Sequence, residues 1–288
     1  MLRVRTSNEE RAGAEAAGAQ PFIKWAGGKR RLLDRIIPLV PSSFRNYYEP
    51  FAGGAALFYA VSGRAGRAYL SDTNLELVLT YQVIKEQPEA LIKRLKRYAT
   101  RHSEESYYQV RRAAPKDPVE VAARFIYLNR TCFNGLYRVN KRNGAFNVPF
   151  GTHKNPNIVQ EQNIFACHAQ LRRAKAKVTH HDFRSLGRRP QAGDFVYFDP
   201  PYHPTDERSF TSYTREDFNE DDQADLRDYA RELHERGVFV MISNSQTRYI
   251  ESLYRDKVFK RRRVQAPRLI NCRAASRGCV DELLITNY

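Results

Sequence analysis

The run 46–72 constrains the fold of this chain more than any other part of the sequence. Its parts, in order, are a strand at Asn46–Phe51, the turn Ala52-Gly53-Gly54, a helix at Ala55–Val61, a strand at Arg67–Leu70 and the pair Ser71-Asp72. Strand, glycine turn, helix, strand and acid, in this order, form the front half of a doubly wound nucleotide-binding unit. The sequence therefore predicts an α/β fold around a parallel sheet.

The glycine turn and the acid that follows it indicate a ligand site. Small residues where a strand becomes a helix let the backbone approach a ligand closely, which makes Phe51 and Gly53 candidate cofactor contacts. Asp72 follows Gly54 by 18 residues, close to the spacing of about 20 at which an acid binds a ribose hydroxyl pair. The three-glycine dinucleotide spacing is absent, which disfavours NAD. The alternative is a tight turn followed by a helix-capping Asp72.

The rest of the chain predicts further helices and strands around an insert. The predicted elements are helical spacing at Arg31–Leu39, a long helix from about Asn74 to Thr100, helices at Pro118–Tyr127 and Glu220–Arg236, and strands at Ala176–Thr179, Phe195–Phe198, Val238–Ile242 and Glu282–Thr286. Two alternating runs, Leu136–Asn140 and Ala145–Pro149, flank Asn143-Gly144, which is a strong hairpin signal. We therefore expect a β-hairpin that projects from a helical insert.

The tetrapeptide Asp199-Pro200-Pro201-Tyr202 is the most informative motif of the chain. It follows a continuous apolar run, so we expect it at the carboxyl edge of a sheet, where α/β enzymes bind ligands. Successive prolines remove two backbone donors. An exocyclic base amine has two N–H donors, of which the Asp199 carboxylate can accept one and the Pro200 carbonyl the other. Tyr202 offers a flat face on which a base stacks. The alternative is a rigid Pro-Pro turn capped by Asp199.

The charge of the chain favours nucleic acid as a partner. Its 48 Lys and Arg residues against 32 Asp and Glu residues give a formal net charge of +16. Such an excess is the electrostatic footprint of a polyanion binder. The alternative is a basic surface without a partner.

Cysteine usage and the N-terminal residues bear on the location of the protein. The four cysteines, which form no C-x-x-C pair and have no His at metal-ligand spacing, are Cys132, Cys167, Cys272 and Cys279. We therefore expect reduced thiols, no metal site and a cytoplasmic protein. No apolar run approaches the roughly 18 residues that a membrane span needs, so no membrane association is expected. Residues 1–20 lack the apolar core of a signal peptide and are predicted to form a flexible tail.

Several separated motifs occur in the order of a known family. They are Lys24–Lys29, Glu49–Gly54, Ser71–Asn74, the insert segments Cys132–Asn140 and Phe146–Gly151, Asp199–Tyr202 and the closing Asp281–Tyr288. In these motifs the chain resembles DNA adenine methylases of the Dam type, the D12 class of N6-adenine-specific DNA methyltransferases. The resemblance implies a Rossmann-like S-adenosylmethionine-dependent methyltransferase fold. It also implies a catalytic domain at 21–84 and 175–288, with a target-recognition domain inserted at 85–174.

The resemblance assigns further roles within these motifs. Positions that contact the cofactor region are matched by Trp25, Lys29, Asp72 and Asp199. Positions that read bases are matched by Lys24, Arg138 and Pro149, and positions that enter the duplex near a flipped adenine are matched by Phe133 and Asn134. Double-stranded DNA is thus the expected partner, GATC the expected site and S-adenosylmethionine the expected cofactor. The family usually has Gly where Ala55 stands, so the extra methyl either narrows the cofactor pocket or is accepted by a shift of the helix.

Other functions remain open from the sequence. An N4-cytosine methyltransferase shares the proposed geometry, although such enzymes usually resemble Ser-Pro-Pro-Tyr at the tetrapeptide. RNA methylation is a further enzymatic alternative. A non-catalytic basic DNA-binding protein explains the net charge and the hairpin, but it has no need for Asp72 and Asp199 together. A nuclease is disfavoured, because no compact cluster of acids and lysines suggests a metal site. The sequence does not distinguish a restriction system from a solitary enzyme, and it leaves the oligomeric state unknown.

Overall fold

The computed structural model describes residues 18–140, 142–205, 218–267 and 279–288, without the side chains of residues 266, 267 and 279–281. The described helices are α1 (Leu33–Ile36), α2 (Ala56–Val61), α3 (Leu75–Glu86), α4 (Pro88–Thr100), α5 (Glu104–Arg112), α6 (Pro118–Thr131), α7 (Glu161–Arg173), α8 (Glu220–Glu235) and α9 (Arg248–Leu253). The strands are β1 (Asn46–Glu49), β2 (Arg67–Asp72), β3 (Lys177–His180), β4 (Phe195–Phe198), β5 (Phe239–Ser245), β6 (Lys260–Pro267) and β7 (Cys279–Thr286). Short 3-10 turns lie at Lys29–Leu32, Ile37–Leu39, Ser62–Arg64, Phe133–Gly135 and Phe183–Leu186.

The chain forms two compact units. The first is built from the described residues of 1–30, 53–63 and 72–180, and the second from those of 31–52, 64–71 and 181–288. Each unit therefore combines segments that are distant in the sequence. No described helix is both long enough and apolar enough to cross a membrane.

Six strands run side by side in the second unit, in the order β2-β1-β4-β5-β7-β6. β1 pairs in parallel with β2 and β4, and β4 pairs in parallel with β5. β7 is antiparallel to both β5 and β6. All four residues of β4 are buried, as predicted for a parallel strand covered on both faces. The expected Rossmann-like α/β fold is confirmed, and the tetrapeptide follows β4 at the carboxyl edge of these strands.

Helix α8 covers part of this sheet with one apolar face. Leu226, Ala230 and Leu233 recur at helical spacing and are fully buried in the core that contains Phe198 of β4. Burying a leucine side chain contributes roughly 1.5–3 kcal/mol, so this face fixes α8 on the sheet. Asn219 begins the helix with a capping box, and Gly237, at φ +71°, follows its end as predicted. Residues at the start of α8 are thereby held in a fixed place for the site described below.

The first unit is mainly helical. Helix α6 packs against α3, α4 and α5, and α3 also packs against α7. The residues of α6 from Val121 to Asn129 are all buried, because neighbours surround this helix. Gln20 and Asn163 of α7 exchange two hydrogen bonds of 3.0 Å each. Most of the predicted flexible tail lies outside the described residues.

Two sequence-based expectations about helices are wrong. The long helix predicted from Asn74 to Thr100 is two helices, α3 and α4, because Pro88 cannot occupy a helix interior and Gln87 leaves helical geometry (φ −137°, ψ 48°). The helical run predicted at Arg31–Leu39 is broken into α1 and two flanking 3-10 turns.

The predicted hairpin is confirmed in a short form. Val139 and Phe146 form one antiparallel bridge, and the Asn140 N–H donates to the Ala145 carbonyl over 2.8 Å. Gly144 has φ +68°, as a tight turn at this position requires. Lys141 lies outside the described residues. The hairpin therefore consists of two short paired segments and not of two regular strands.

Candidate active site

The predicted ribose acid and the glycine turn meet in the first unit. The Asp72 carboxylate accepts the Gly53 N–H through one oxygen and the Asn74 N–H through the other, each over 2.9 Å. Burial raises the pKa of Asp72, and these two backbone N–H groups oppose that rise. The helix cap is Asn74, whose side chain accepts the Leu77 N–H at the start of α3. Asp72 is thus not the cap of α3, and its carboxylate keeps further acceptor positions.

Trp25 lies against the same turn. A Cβ placed on Gly53, whose φ is +45°, would stand 2.6 Å from Trp25 Cδ1, so only glycine fits beside the indole. The indole stacks on the Tyr137 ring with centroids 5.6 Å apart, and it is half-buried. The structure therefore brings together three predicted cofactor residues, Trp25, Gly53 and Asp72.

Lys29 lies in the same unit with little exposure. Its ammonium group donates to the Gly27 carbonyl over 2.6 Å, and the residue is only 3% exposed. A buried ammonium is costly unless it has acceptors around it. The fold therefore holds a positive charge at a fixed place in this segment.

Asn129 of α6 connects two segments of the predicted DNA-reading set. Its fully buried amide accepts the Lys24 N–H and donates to the Lys24 carbonyl, each over 2.8 Å. It also donates to the Gly135 carbonyl over 3.0 Å. Gly135 has φ +65°, and a Cβ on it would lie 2.4 Å from Lys24 Cδ. Lys24 and the loop before the hairpin are therefore locked together by one side chain that the sequence did not reveal.

The loop between α6 and the hairpin presents Phe133 and Asn134. The Phe133 N–H donates to the Pro149 carbonyl over 2.9 Å, so these two predicted DNA residues lie together. Phe133 is 48% exposed, an unusual state for a large apolar residue, and Asn134 has φ +55°. Asn tolerates this left-handed geometry better than most residues. The loop thus exposes an aromatic ring and an amide side by side.

Arg138 lies on the hairpin and is exposed. Its Nε donates to the Asn147 side-chain oxygen over 2.7 Å, and the Asn147 N–H donates to the Arg138 carbonyl over 2.9 Å. A bond at Nε restricts the plane of the guanidinium group. The predicted base reader is therefore oriented by the opposite arm of its own hairpin.

Tyr137, next to Arg138, belongs to a polar network around Glu76 of α3. The Glu76 carboxylate accepts the Tyr137 hydroxyl over 3.2 Å and the Arg124 guanidinium over 2.9 Å. Burial raises the pKa of Tyr137 to about 12, so its hydroxyl stays protonated as a donor at neutral pH. This network ties the hairpin to the start of the helix that follows the ribose acid. No pattern in the sequence indicated Glu76, and Tyr137 lay in the insert motif without an assigned role.

The tetrapeptide lies in the second unit, directly after β4. Asp199 is half-buried and Pro200 is buried. Tyr47 and Tyr197 are fully buried nearby. Burial raises the pKa of Tyr197 well above its ordinary value, and the negative charge of Asp199 raises it further. Asp199 is thus at the border between the core and the surface, and its Oδ1 atom is itself buried.

Tyr202 is held by residues that the sequence reading did not single out. Its hydroxyl donates to Glu282 of β7 over 2.7 Å. The neighbouring Pro201 carbonyl accepts from Gln223 of α8 over 3.0 Å, and the His203 N–H donates to Asn244 of β5 over 3.1 Å. The closing family motif, which includes Glu282, was the one available signal for these contacts.

Phe51 lies in an aromatic cluster of the second unit. Its ring centroid is 5.5 Å from that of Phe183, 5.6 Å from that of Phe218 and 6.4 Å from that of Phe198. The ring is half-buried, so part of it is accessible. Its role as a cofactor contact stays a prediction.

No group of three or more His, Cys, Asp or Glu side chains suited to a metal ion occurs among the described residues. Cys132 and Cys167 are buried free thiols. The polar groups described above are hydrogen-bond donors and acceptors, a set suited to binding and orienting an organic ligand.

Comparison with known proteins gives consistent matches over most of the chain. Residues 25–270 match the family model described as D12 class N6 adenine-specific DNA methyltransferase. The chain is 43% identical over 276 residues to a type II methyltransferase of Lactococcus lactis subsp. cremoris, covering 93% of this chain and 95% of that protein. It is 41% identical over 291 residues to a type II methyltransferase of Methanocaldococcus jannaschii, covering 93% and 99%. It is 35% identical over 269 residues to the DNA adenine methylase of Escherichia coli K12, covering 91% and 93%.

Proposed function

Because the chain belongs to the D12 class of N6 adenine-specific DNA methyltransferases, we propose that it methylates adenine within a short site in duplex DNA, with S-adenosylmethionine as the methyl donor and GATC as the site. The observation that carries the chemistry is the half-buried Asp199 carboxylate at the end of buried β4, followed by Pro200. Membership of this family makes the chain an enzyme that acts on adenine in DNA. We propose S-adenosylmethionine, duplex DNA and GATC as its donor, substrate form and site.

The residues of the first unit fit the proposed donor. A carboxylate offers about four acceptor positions, and the Gly53 and Asn74 N–H groups use one on each oxygen of Asp72. Acceptor positions therefore remain for a ribose hydroxyl pair. The half-buried Trp25 indole supplies an aromatic surface for a purine ring. When bound, S-adenosylmethionine supplies an electrophilic methyl group on a sulfonium centre.

The second unit supplies the acceptors for the target amine. The Asp199 carboxylate accepts one N–H of the adenine amine and the Pro200 carbonyl accepts the other. The Pro201 carbonyl is already engaged by Gln223, which supports Pro200 as the second acceptor. Holding both hydrogens fixes the orientation of the nitrogen lone pair that the methyl donor would meet. Catalysis then rests on positioning and on oriented acceptors, without a nucleophilic side chain.

Access to the amine requires base flipping, because the target nitrogen is buried in the duplex. Extrusion of the base costs a few kcal/mol, and stacking on Tyr202 returns roughly 1–3 kcal/mol. Phe133 and Asn134 fill the vacated space in the duplex. The 48% exposure of Phe133 supports this role. Phosphate contacts by Lys and Arg supply much of the remaining binding energy, in keeping with the net charge of +16.

Sequence recognition is proposed to reside in 85–174, together with Lys24. Residues 21–84 and 175–288 then carry the cofactor and the chemistry. Arg138 and Pro149 read base edges from the hairpin. The relatives include type II methyltransferases as well as a DNA adenine methylase. GATC is therefore proposed from the resemblance to the latter.

The decisive variant for this function is Asp199→Ala. We expect it to abolish methyl transfer while DNA binding persists, because the carboxylate acts on the amine and not on the phosphates. Asp221→Ala, which removes an exposed carboxylate from the first turn of α8, is the matched control and should keep full activity. The readout is N6-methyladenine in digested DNA, and sequencing of methylated sites from an expressing host gives the site. Near-normal turnover by Asp199→Ala, or N4-methylcytosine as product, would refute the proposal.

A further inference from the structure

The backbone on both sides of Tyr202 is fixed by two buried amides. The N–H groups of His203 and Ser245 donate to Asn244 Oδ1 over 3.1 and 2.9 Å. Asn244 Nδ2 therefore faces Gln223 Oε1, to which it donates over 2.9 Å, and Gln223 Nε2 donates to the Pro201 carbonyl over 3.0 Å. Both amide side chains are at most 1% exposed. A water-excluded network of this kind holds the chain rigidly.

A fixed backbone does not fix the ring of a tyrosine, which still turns about two side-chain torsions. The far end of the Tyr202 ring is held by Glu282, which accepts its hydroxyl over 2.7 Å. Glu282 is the cross-strand partner of Ser245 in the β5–β7 pairing, and the Ser245 hydroxyl donates to the His203 carbonyl. One cross-strand pair therefore contacts both the Tyr202 ring and the chain that follows it.

We propose that Glu282 is a positioning residue of the reaction: by accepting the Tyr202 hydroxyl, its carboxylate sets the plane on which the target adenine stacks. The inference rests on the proposed stacking role of Tyr202. Burial and the nearby carboxylates raise the pKa of Tyr202 well above its ordinary value, so the hydroxyl remains a donor. Glu282 acts through Tyr202 and does not itself touch the reacting atoms.

A double-mutant cycle tests this role in the full-length enzyme. The variants are Tyr202→Phe, Glu282→Ala, Glu282→Gln and Tyr202→Phe combined with Glu282→Ala. The measurements are the single-turnover rate of methyl transfer, the Kd values for duplex and S-adenosylmethionine, and the emission of a fluorescent adenine analogue at the target position. Glu235→Ala, which removes an exposed carboxylate in the last turn of α8, is the control and should match the wild type.

The expected result is strong coupling between the two positions. Tyr202→Phe and Glu282→Ala should each lower the single-turnover rate by about tenfold, and the double variant should be no slower than either, because all three lose the same hydrogen bond. Glu282→Gln should stay within about twofold of the wild type, since its amide oxygen still accepts the hydroxyl. The Kd values should not change, whereas the fluorescence of the flipped analogue should.

The proposal would be overturned if the double variant lowered the single-turnover rate by the product of the two single effects. It would also be overturned if Glu282→Gln were as slow as Glu282→Ala. If Glu282→Ala does not fold, Glu282→Gln and Tyr202→Phe still test the proposal. It requires Glu282→Gln to transfer the methyl group at nearly the wild-type rate and Tyr202→Phe to transfer it about tenfold more slowly. Tyr202→Ala separates this inference from the function on which it rests. Full activity of Tyr202→Ala would refute the stacking of the base on Tyr202. Additive rate defects of Tyr202→Phe and Glu282→Ala would refute only the positioning role of Glu282.

Discussion

The Gly53 N–H donates to the Asp72 carboxylate over 2.9 Å, across a sequence separation of 19 residues. This bond joins the glycine turn to the acid at the end of β2, so the two features that the sequence placed in order are in direct contact. It also aligns the carboxylate, because Asn74 holds the other oxygen. A ribose hydroxyl pair would meet a carboxylate that is already oriented.

The first prediction concerns the pH dependence of cofactor binding. Burial raises the pKa of Asp72 above its ordinary value, and ribose hydroxyls donate best to the ionised form. Affinity for S-adenosylmethionine should therefore be full above this raised pKa and fall as the pH drops through it. Asp72→Asn should bind about tenfold more weakly at neutral pH, with the acid-side fall removed. Calorimetry across the acid range measures both effects, and an unchanged pH profile in Asp72→Asn would contradict the role of this carboxylate.

The second prediction concerns the contact of Gly135 with Lys24. Gly135→Ala places a Cβ 2.4 Å from Lys24 Cδ, so it should displace the Lys24 side chain and weaken binding of the cognate duplex by about tenfold. Gly144→Ala is the matched control, because its φ of +68° imposes similar strain, of about 1–2 kcal/mol, but its Cβ meets nothing within 4 Å. Fluorescence anisotropy with cognate duplex gives the two Kd values. Equal losses of duplex affinity in the two variants would mean that backbone strain alone, and not the contact with Lys24, weakens binding.

The third prediction concerns base reading by Arg138. Arg138→Ala should relax sequence choice at one base pair by roughly 1–3 kcal/mol. Asn147→Ala should weaken the preference at the same base pair by a smaller amount, because it frees only the Nε end of the guanidinium group. Arg142→Ala removes an exposed charge from the same hairpin and should weaken all duplexes uniformly. Competition among duplexes that vary one base pair at a time measures the effect, and an unchanged preference in Arg138→Ala would exclude it as a reader.

The sequence predicted the parts of the fold that depend on local patterns. The continuous apolar run of β4 indicates a strand buried on both faces, and the tetrapeptide after it must then lie at the carboxyl edge of the sheet. Gly237 correctly predicted the end of α8, because the positive φ that follows a helix end, here +71°, is a local requirement that glycine meets. The prediction of one long helix was wrong because it followed the helix-favouring residues on both sides of Pro88 and neglected the proline itself, which begins α4 and separates it from α3.

The contacts that position the site could not be predicted, because they join distant parts of the chain. Glu282 meets Tyr202 across 80 residues, and Asn129 meets Lys24 across 105. No periodicity or composition of the sequence indicates either of these two contacts. A buried polar side chain is recognised as such only when the packing around it is known. The family motifs contained Glu282 without assigning it a role, whereas Asn129, which holds Lys24 in place, lies outside those motifs.

The last prediction concerns Ala55, a position at which the resemblance to the family leads us to expect glycine. Ala55 adopts a left-handed conformation (φ 48°, ψ 43°) directly before α2 and is 2% exposed. This conformation costs a residue with a Cβ roughly 1–2 kcal/mol, whereas loss of the buried methyl costs about 0.8 kcal/mol. Ala55→Gly should therefore leave the free energy of unfolding nearly unchanged or slightly higher.

Ala60→Gly supplies the comparison, because it makes the same chemical change at an exposed position inside α2. Glycine relieves no backbone strain at this helical position, so Ala60→Gly should lower the free energy of unfolding by about 1 kcal/mol. For a chain of this length this corresponds to a fall in Tm of about 2 °C. Thermal unfolding of both variants, followed by circular dichroism, measures the difference. If Ala55→Gly were destabilised as much as Ala60→Gly, the left-handed geometry would carry no net strain, and the methyl of Ala55 would act as a packing contact that stabilises the fold.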